Sequence, residues 1–120
     1  MMKLNKYDWF YSTFEKTVKQ ADDIDIVGLD DDECLPIELT KEHLIKNGFI
    51  KREGYKAWEL EIGRLMISIT CDLCDIYGES FDSAIPKIKY EANINGLSVH
   101  ELQRVLRIYG YNNLADHFKI

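Results

Sequence analysis

An α+β fold is what this 120-residue chain predicts, and three patterns carry the prediction. Apolar residues recur at helical spacing towards both ends. In the middle they alternate with polar ones. The alternation is one-sided, as in a small mainly antiparallel sheet with helices packed on one face. The length suits a single domain over residues 1–120.

Leu4, Tyr7, Tyr11, Phe14, Val18 and Ala21 recur at spacings of three and four, which predicts an amphipathic helix over 3–20. On that helix Trp9 falls opposite the stripe and Phe10 at its edge. The pair is therefore the candidate aromatic anchor for a partner. Ile24 and Ile26 then alternate with Asp23 and Asp25, the period of a half-buried strand near 24–27. Gly28 permits a bend, and Asp30–Glu33 reads as a loop.

Thr40 as N-cap, Glu42 in the first turn, and Leu44 and Ile45 facing the core predict a short helix over 41–47. Asn47-Gly48 suits a left-handed C-cap with Phe49 packing back. Next, Trp58, Leu60 and Ile62 alternate with Glu59 and Glu61 in a strand over 55–62. Gly63-Arg64 fits a type II′ turn into a second strand over 65–71, setting Ile62 opposite Leu65, Leu60 opposite Ile67 and Trp58 opposite Ile69. A further strand over 87–94 turns Ile88, Tyr90, Ala92 and Ile94 inward, after a connection spanning 74–86. Asn95-Gly96 turns the chain. Ser98 and Glu101 form a capping-box pattern opening a helix over 98–109 that stops at Gly110. A last helix over 113–119 would bury Leu114 and Phe118.

The composition narrows the function. Hydrophobic content of 46% with 30% charged residues is that of a globular chain and argues against disorder. No apolar run reaches membrane-spanning length, and the first residues carry no signal-peptide pattern. Three cysteines, an odd number, suggest reduced thiols in a cytoplasm. The net charge of −6 is concentrated: residues 21–42 carry nine acids against Lys41 alone. Such a balance disfavours broad nucleic-acid binding, which needs a basic footprint.

The acids cluster in "DDIDIVGLDDDE", residues 22–33. Calcium fails there on spacing, because an EF-hand alignment puts Val27 at a ligand position and Cys34 in place of the bidentate Glu. Asp30, Asp31 and Asp32 are read as a solvated run or as a partner-facing acidic patch. Cys71-Asp-Leu-Cys74 is at most half a metal site, with no second paired motif. Neither a nucleophile elbow nor a glycine-rich phosphate loop is present, so the expectation is a non-enzyme without metal or other cofactor. On the helix over 98–109, His100, Gln103, Arg104 and Arg107 line one side. They form either a wet helix face or a contact stripe for acids, on a partner or on this chain's own Asp30–Glu33.

The segments "LPIELTKEHLIKNGF" (35–49), "WEL" (58–60) and "VHELQ" (99–103), in this order, resemble a group of small proteins from phages and mobile elements of Bacteroidetes bacteria. Members typically carry a "PIPLTEE…GF" segment, a short β region and a "VHELQ" or "VHQLQ" helix. The similarity covers about residues 35–110, with Glu38 standing where a second Pro is usual. The resemblance implies an accessory role inside a bacterial cell and no particular activity.

The expected function is therefore a non-enzymatic interaction or regulatory protein, cytoplasmic, binding a host or phage protein or a second copy of itself. One alternative is a winged-helix-like nucleic-acid binder, supported by a helix, strand, helix and hairpin in sequence. A weaker one is an acidic nucleic-acid mimic.

Overall fold

The computed structural model describes residues 3–51, 57–62, 65–70, 88–93 and 97–120. They form two small sheets with several helices, an α+β fold. The single expected sheet is thus two. The chain divides into two compact units, Met1–Glu38 with Ser98–Phe118, and Leu39–Leu97 with Lys119–Ile120.

The first unit contains β1 (Trp9–Ser12), β2 (Thr17–Gln20), α1 (Asp23–Gly28), a 3-10 turn (Asp31–Glu33) and β3 (Cys34–Leu35). Residues 9–20 are a β-hairpin, not the helix expected over 3–20. The helical spacing of its apolar residues is accidental. Trp, Phe and Tyr in β1 and Thr and Val in β2 favour extended backbone, and β1 gains a partner on each side in the order β2-β1-β3, both antiparallel. Phe10 and Ser12 are buried on one face with Cys34, while Trp9 and Tyr11 lie half-buried on the other. Lys16, in the left-handed region at φ 54°, closes the hairpin loop, and the Glu15 N–H donates to Ser12 Oγ at 3.0 Å. Before β1, the Asp8 N–H donates to Asn5 O (3.0 Å) across a turn with Tyr7 at φ 71°. The Tyr7 N–H donates to Ala21 O and the Ala21 N–H to Asp8 O, each at 2.8 Å. Two residues thus oppose one, a bulge that ends the pairing.

Residues 23–28 are likewise a helix where a strand near 24–27 was expected. The Asp25 N–H donates to Asp22 Oδ1 (2.8 Å) and the Asp22 N–H to Asp25 Oδ2 (3.0 Å), so the two acids cap each other's backbone. Two cycles of alternation are too few to outweigh that.

This unit is completed by α3 (Val99–Ile108) and α4 (Asn112–Asp116). Val99, Leu102 and Leu106 are fully buried, as is Ala115, with Phe118 close behind. Leu114, expected inside, is half-buried, and Tyr109 is exposed. After α3, Gly110 takes φ 88° while the Tyr111 N–H bonds to Leu106 O at 2.8 Å, a Schellman closure.

The second unit holds α2 (Lys41–Lys46) and a four-stranded sheet of β4 (Ile50–Lys51), β5 (Ala57–Ile62), β6 (Leu65–Thr70) and β7 (Ile88–Asn93), in the order β4-β5-β6-β7. The β5–β6 register is the expected one: Ile62 faces Leu65, Leu60 faces Ile67 and Trp58 faces Ile69. β7 runs parallel to β6. Leu65, Met66, Ile67, Ser68 and Ile69 are all buried, so β6 is covered on both faces. Thr40 caps α2 as expected, but Leu44 alone of its apolar pair is buried; Ile45 is exposed. Gly48 at φ 87° and the Phe49 N–H bonded to Leu44 O (3.0 Å) end α2 in the expected left-handed manner. The Gly63-Arg64 turn, Cys71 and Cys74, the 74–86 connection and the Asn95-Gly96 turn lie outside the described residues. So do the inward-facing side chains expected on β7.

Candidate interaction site

The polar stripe of α3 is the first place to look, and it is turned inward. Gln103 is fully buried and takes the role of a missing strand. β3 ends at Leu35, leaving the Trp9 N–H on that side of β1 without a strand partner; Gln103 Oε1 accepts it at 2.9 Å. Gln103 Nε2 donates to Tyr7 O (2.8 Å) and Ala115 O (2.9 Å), so one amide joins β1, α3 and α4. Only a side chain carrying both an acceptor and two donors can satisfy all three groups.

Arg104 and Arg107 meet carboxylates, but not those of Asp30–Glu33. Arg107 Nη1 binds Asp8 Oδ1, Nη2 reaches Asp116 Oδ1 at 3.3 Å and Lys6 O at 3.1 Å, and Arg104 Nη2 lies 3.8 Å from Asp8 Oδ2. Arg104 Nη2 also binds Lys3 O. Asp8 is fully buried and further accepts the Asn5 N–H at 2.9 Å. Shut from water and held on both oxygens, this carboxylate fastens the chain ahead of β1 to α3.

His100 is buried too, with Nδ1 2.9 Å from Ser98 Oγ. Ser98 gives its own proton to Glu101 Oε1 (2.6 Å). Nδ1 must therefore donate to Ser98, which is the reverse of a base activating a nucleophile. Burial, with Arg104 nearby, lowers the His100 pKa, while Asp8 and Glu101 act against this. The expectation of a wet face thus fails at His100 and Gln103. Their burial was not legible locally, because the groups they meet are brought in by the rest of the unit.

The aromatic candidates are also spoken for. Phe10 sits in the core with Leu4, Ala21 and Cys34. The Trp9 indole N–H donates to Phe118 O at 2.7 Å, and the side chain is half-buried on β1. Neither is an open anchor.

The exposed apolar surface lies elsewhere. On α1 the polarity is inverted: Asp25 is the buried residue, 8% exposed, whereas Ile24 is 77% and Val27 85% exposed. Inward, Asp25 Oδ1 meets Lys19 Nζ at 3.2 Å, a bond that raises the lysine's pKa. Ile24 and Val27 stand three apart and share one helix face. At the hairpin tip Phe14 is 80% exposed. Its neighbour Thr13 fixes the tip to the acidic turn, with N–H to Glu33 O at 3.1 Å and Oγ1 to Asp32 O at 3.0 Å.

In that turn Asp30 and Asp32 are exposed and Glu33 half-buried, their carboxylate oxygens within 4.8 Å of one another. Among the described residues they are the group dense enough to attract a cation. The backbone of Asp31 belongs to the same turn, and its side chain lies outside the described residues. Sequence reasoning missed Phe14, Ile24 and Val27 because it had placed Phe14 on a buried helix stripe and Ile24 on a buried strand face.

No protein-family model, curated protein or solved structure matches the chain. The helix, strand, helix and hairpin succession behind the winged-helix alternative is not the observed order, since a hairpin occupies residues 9–20 and a helix 23–28. Among the described residues no helix is long and apolar enough to cross a membrane.

Proposed function

We propose that this is a non-enzymatic interaction protein, an accessory or regulatory factor of phage or mobile-element type acting in a bacterial cytoplasm. It docks a partner protein through the outward face of α1. The observation that carries the reading is the inversion of that helix, with its acid inside and Ile24 and Val27 in water. Large apolar side chains held outward on capped backbone are costly to leave in solvent and are typical of contact surfaces. The surrounding charge selects the partner: nine acids against one lysine over residues 21–42 favour a segment that mixes Lys or Arg with large apolar residues.

A displayed peptide library tests this directly. Wild-type protein should enrich sequences combining basic and large apolar residues, and Ile24→Ser with Val27→Ser should abolish the enrichment. Enrichment without a preference for basic residues, or enrichment that survives both substitutions, counts against the reading.

A further inference from the structure

The outer edge of β2 belongs to the same unit but is a separate surface. Backbone directions on β1 follow from three bonds. The N–H groups of Trp9 and Thr13 point to the β3 side, towards Gln103 and Glu33, while Asp8 O accepts from Ala21 on the β2 side. In the pairing of Trp9 with Gln20, Phe10 with Lys19, Tyr11 with Val18 and Ser12 with Thr17, Lys19 and Thr17 therefore face β1. Val18 and Gln20 turn their N–H and C=O groups outward. Among the described residues the order β2-β1-β3 places no strand beyond them.

Two features make this edge unusual. Val18 is directly opposite Tyr11, and Tyr11 is directly opposite Leu35, so an apolar row crosses the sheet and stops at the edge. Val18 is 45% and Leu35 46% exposed. Lysines commonly guard sheet edges against pairing. Here Lys19 is held by Asp25 at 3.2 Å and Glu15 at 3.4 Å on its own chain.

We infer that β2 pairs antiparallel with β2 of a second copy of this chain, with Val18 facing Val18 across a two-fold axis. Charge selects the register. Centring on Val18 sets Lys19 against Thr17 of the other copy. The next register open to outward-facing groups sets Lys19 against Lys19, and like charges directly opposed destabilise a pair. The chosen register also joins the two apolar rows, running Leu35, Tyr11 and Val18 into their counterparts in the order Val18, Tyr11 and Leu35. The same patch serves both copies, as a closed dimer requires.

Sedimentation of the full chain at high micromolar concentration should show a dimer. Val18→Lys places like charges opposite one another on the axis and should weaken it about tenfold or more. Thr17→Glu, facing Lys19 of the other copy, should tighten it. Both positions are exposed, and unchanged far-UV circular dichroism confirms that the variants fold. A monomer at that concentration, a dimer indifferent to Val18→Lys, or one weakened by Thr17→Glu overturns the inference. The α1 variants Ile24→Ser and Val27→Ser leave sedimentation unchanged, so the inference stands or falls independently of partner docking.

Discussion

Two helices of the same unit, α1 and α3, use polar residues in opposite ways. Each opens with an acid at its third position bonded to the N-cap backbone: Asp25 to the Asp22 N–H, and Glu101 to the Ser98 N–H at 3.1 Å. Each also turns a charged or amide side chain inward. In α3 these groups join an apolar arc of Val99, Leu102 and Leu106, and every inward polar atom of Gln103 meets another element. In α1 the inward acid is the helix's whole buried content, and the apolar residues face solvent. An inward polar residue that accompanies buried apolar side chains fastens a fold. One that displaces them leaves a helix whose apolar face is available to something else.

Substitutions can break this contrast. Arg107→Ala leaves the fully buried Asp8 carboxylate with only Arg104 at 3.8 Å and the Asn5 N–H at 2.9 Å, and should cost about 2–3 kcal/mol, read by chemical denaturation. Gln103→Leu keeps the volume but orphans the Trp9 N–H and leaves the Tyr7 and Ala115 carbonyls with one donor each, from Gln20 Nε2 and the Phe118 N–H. About 1–3 kcal/mol should be lost, and the Trp9 environment should change in fluorescence. On α1, Asp25→Ala removes one cap and the ion pair of the buried Asp25 with the partly exposed Lys19, an expected loss of about 1–2 kcal/mol.

Acid distinguishes the helices without mutation. Burial lowers the His100 pKa, so the unfolded chain takes up its proton first as pH falls. The stability linked to neutral His100 is complete above the ordinary histidine value of about 6.5, and it is lost as pH drops through the lowered folded value. His43 shifts the same way, from burial and then Lys46, and its Nδ1 accepts the Thr40 N–H at 3.0 Å, a cap that protonation would remove. His100→Gln should flatten the decline in denaturation midpoint below neutral pH; an unchanged slope would refute the assignment. The smallest effect is expected at the exposed face. Ile24→Ser with Val27→Ser should move stability by no more than about 0.5 kcal/mol per site, while removing peptide binding.

The features legible in the sequence were those fixed by near neighbours. The β5–β6 register followed from alternation around Gly63-Arg64, α3 from Ser98 and Glu101, and the end of α2 from Asn47-Gly48. The hairpin at 9–20 was not legible, since six apolar residues matched a helical period by chance, and the aromatic and β-branched content of its strands was the stronger signal. For α1, Asp22 and Asp25 formed a cap signal that the Ile-Asp alternation hid. The Gln103 hub could not be read from periodicity at all. Its hydrogen-bonding partner at Trp9 lies 94 positions away in sequence, and only the early end of β3 creates the vacancy that it fills.

That separation has a consequence for how the protein is made. The hairpin leaves the ribosome long before α3 does, and throughout that interval Asp8 and the Trp9 amide lack the groups that will close over them. The first unit can therefore lock only once its most distant segment, residues 98–118, has been made. A nascent chain arrested before residue 98 should expose its hairpin to proteases, whereas one released after residue 118 should protect it.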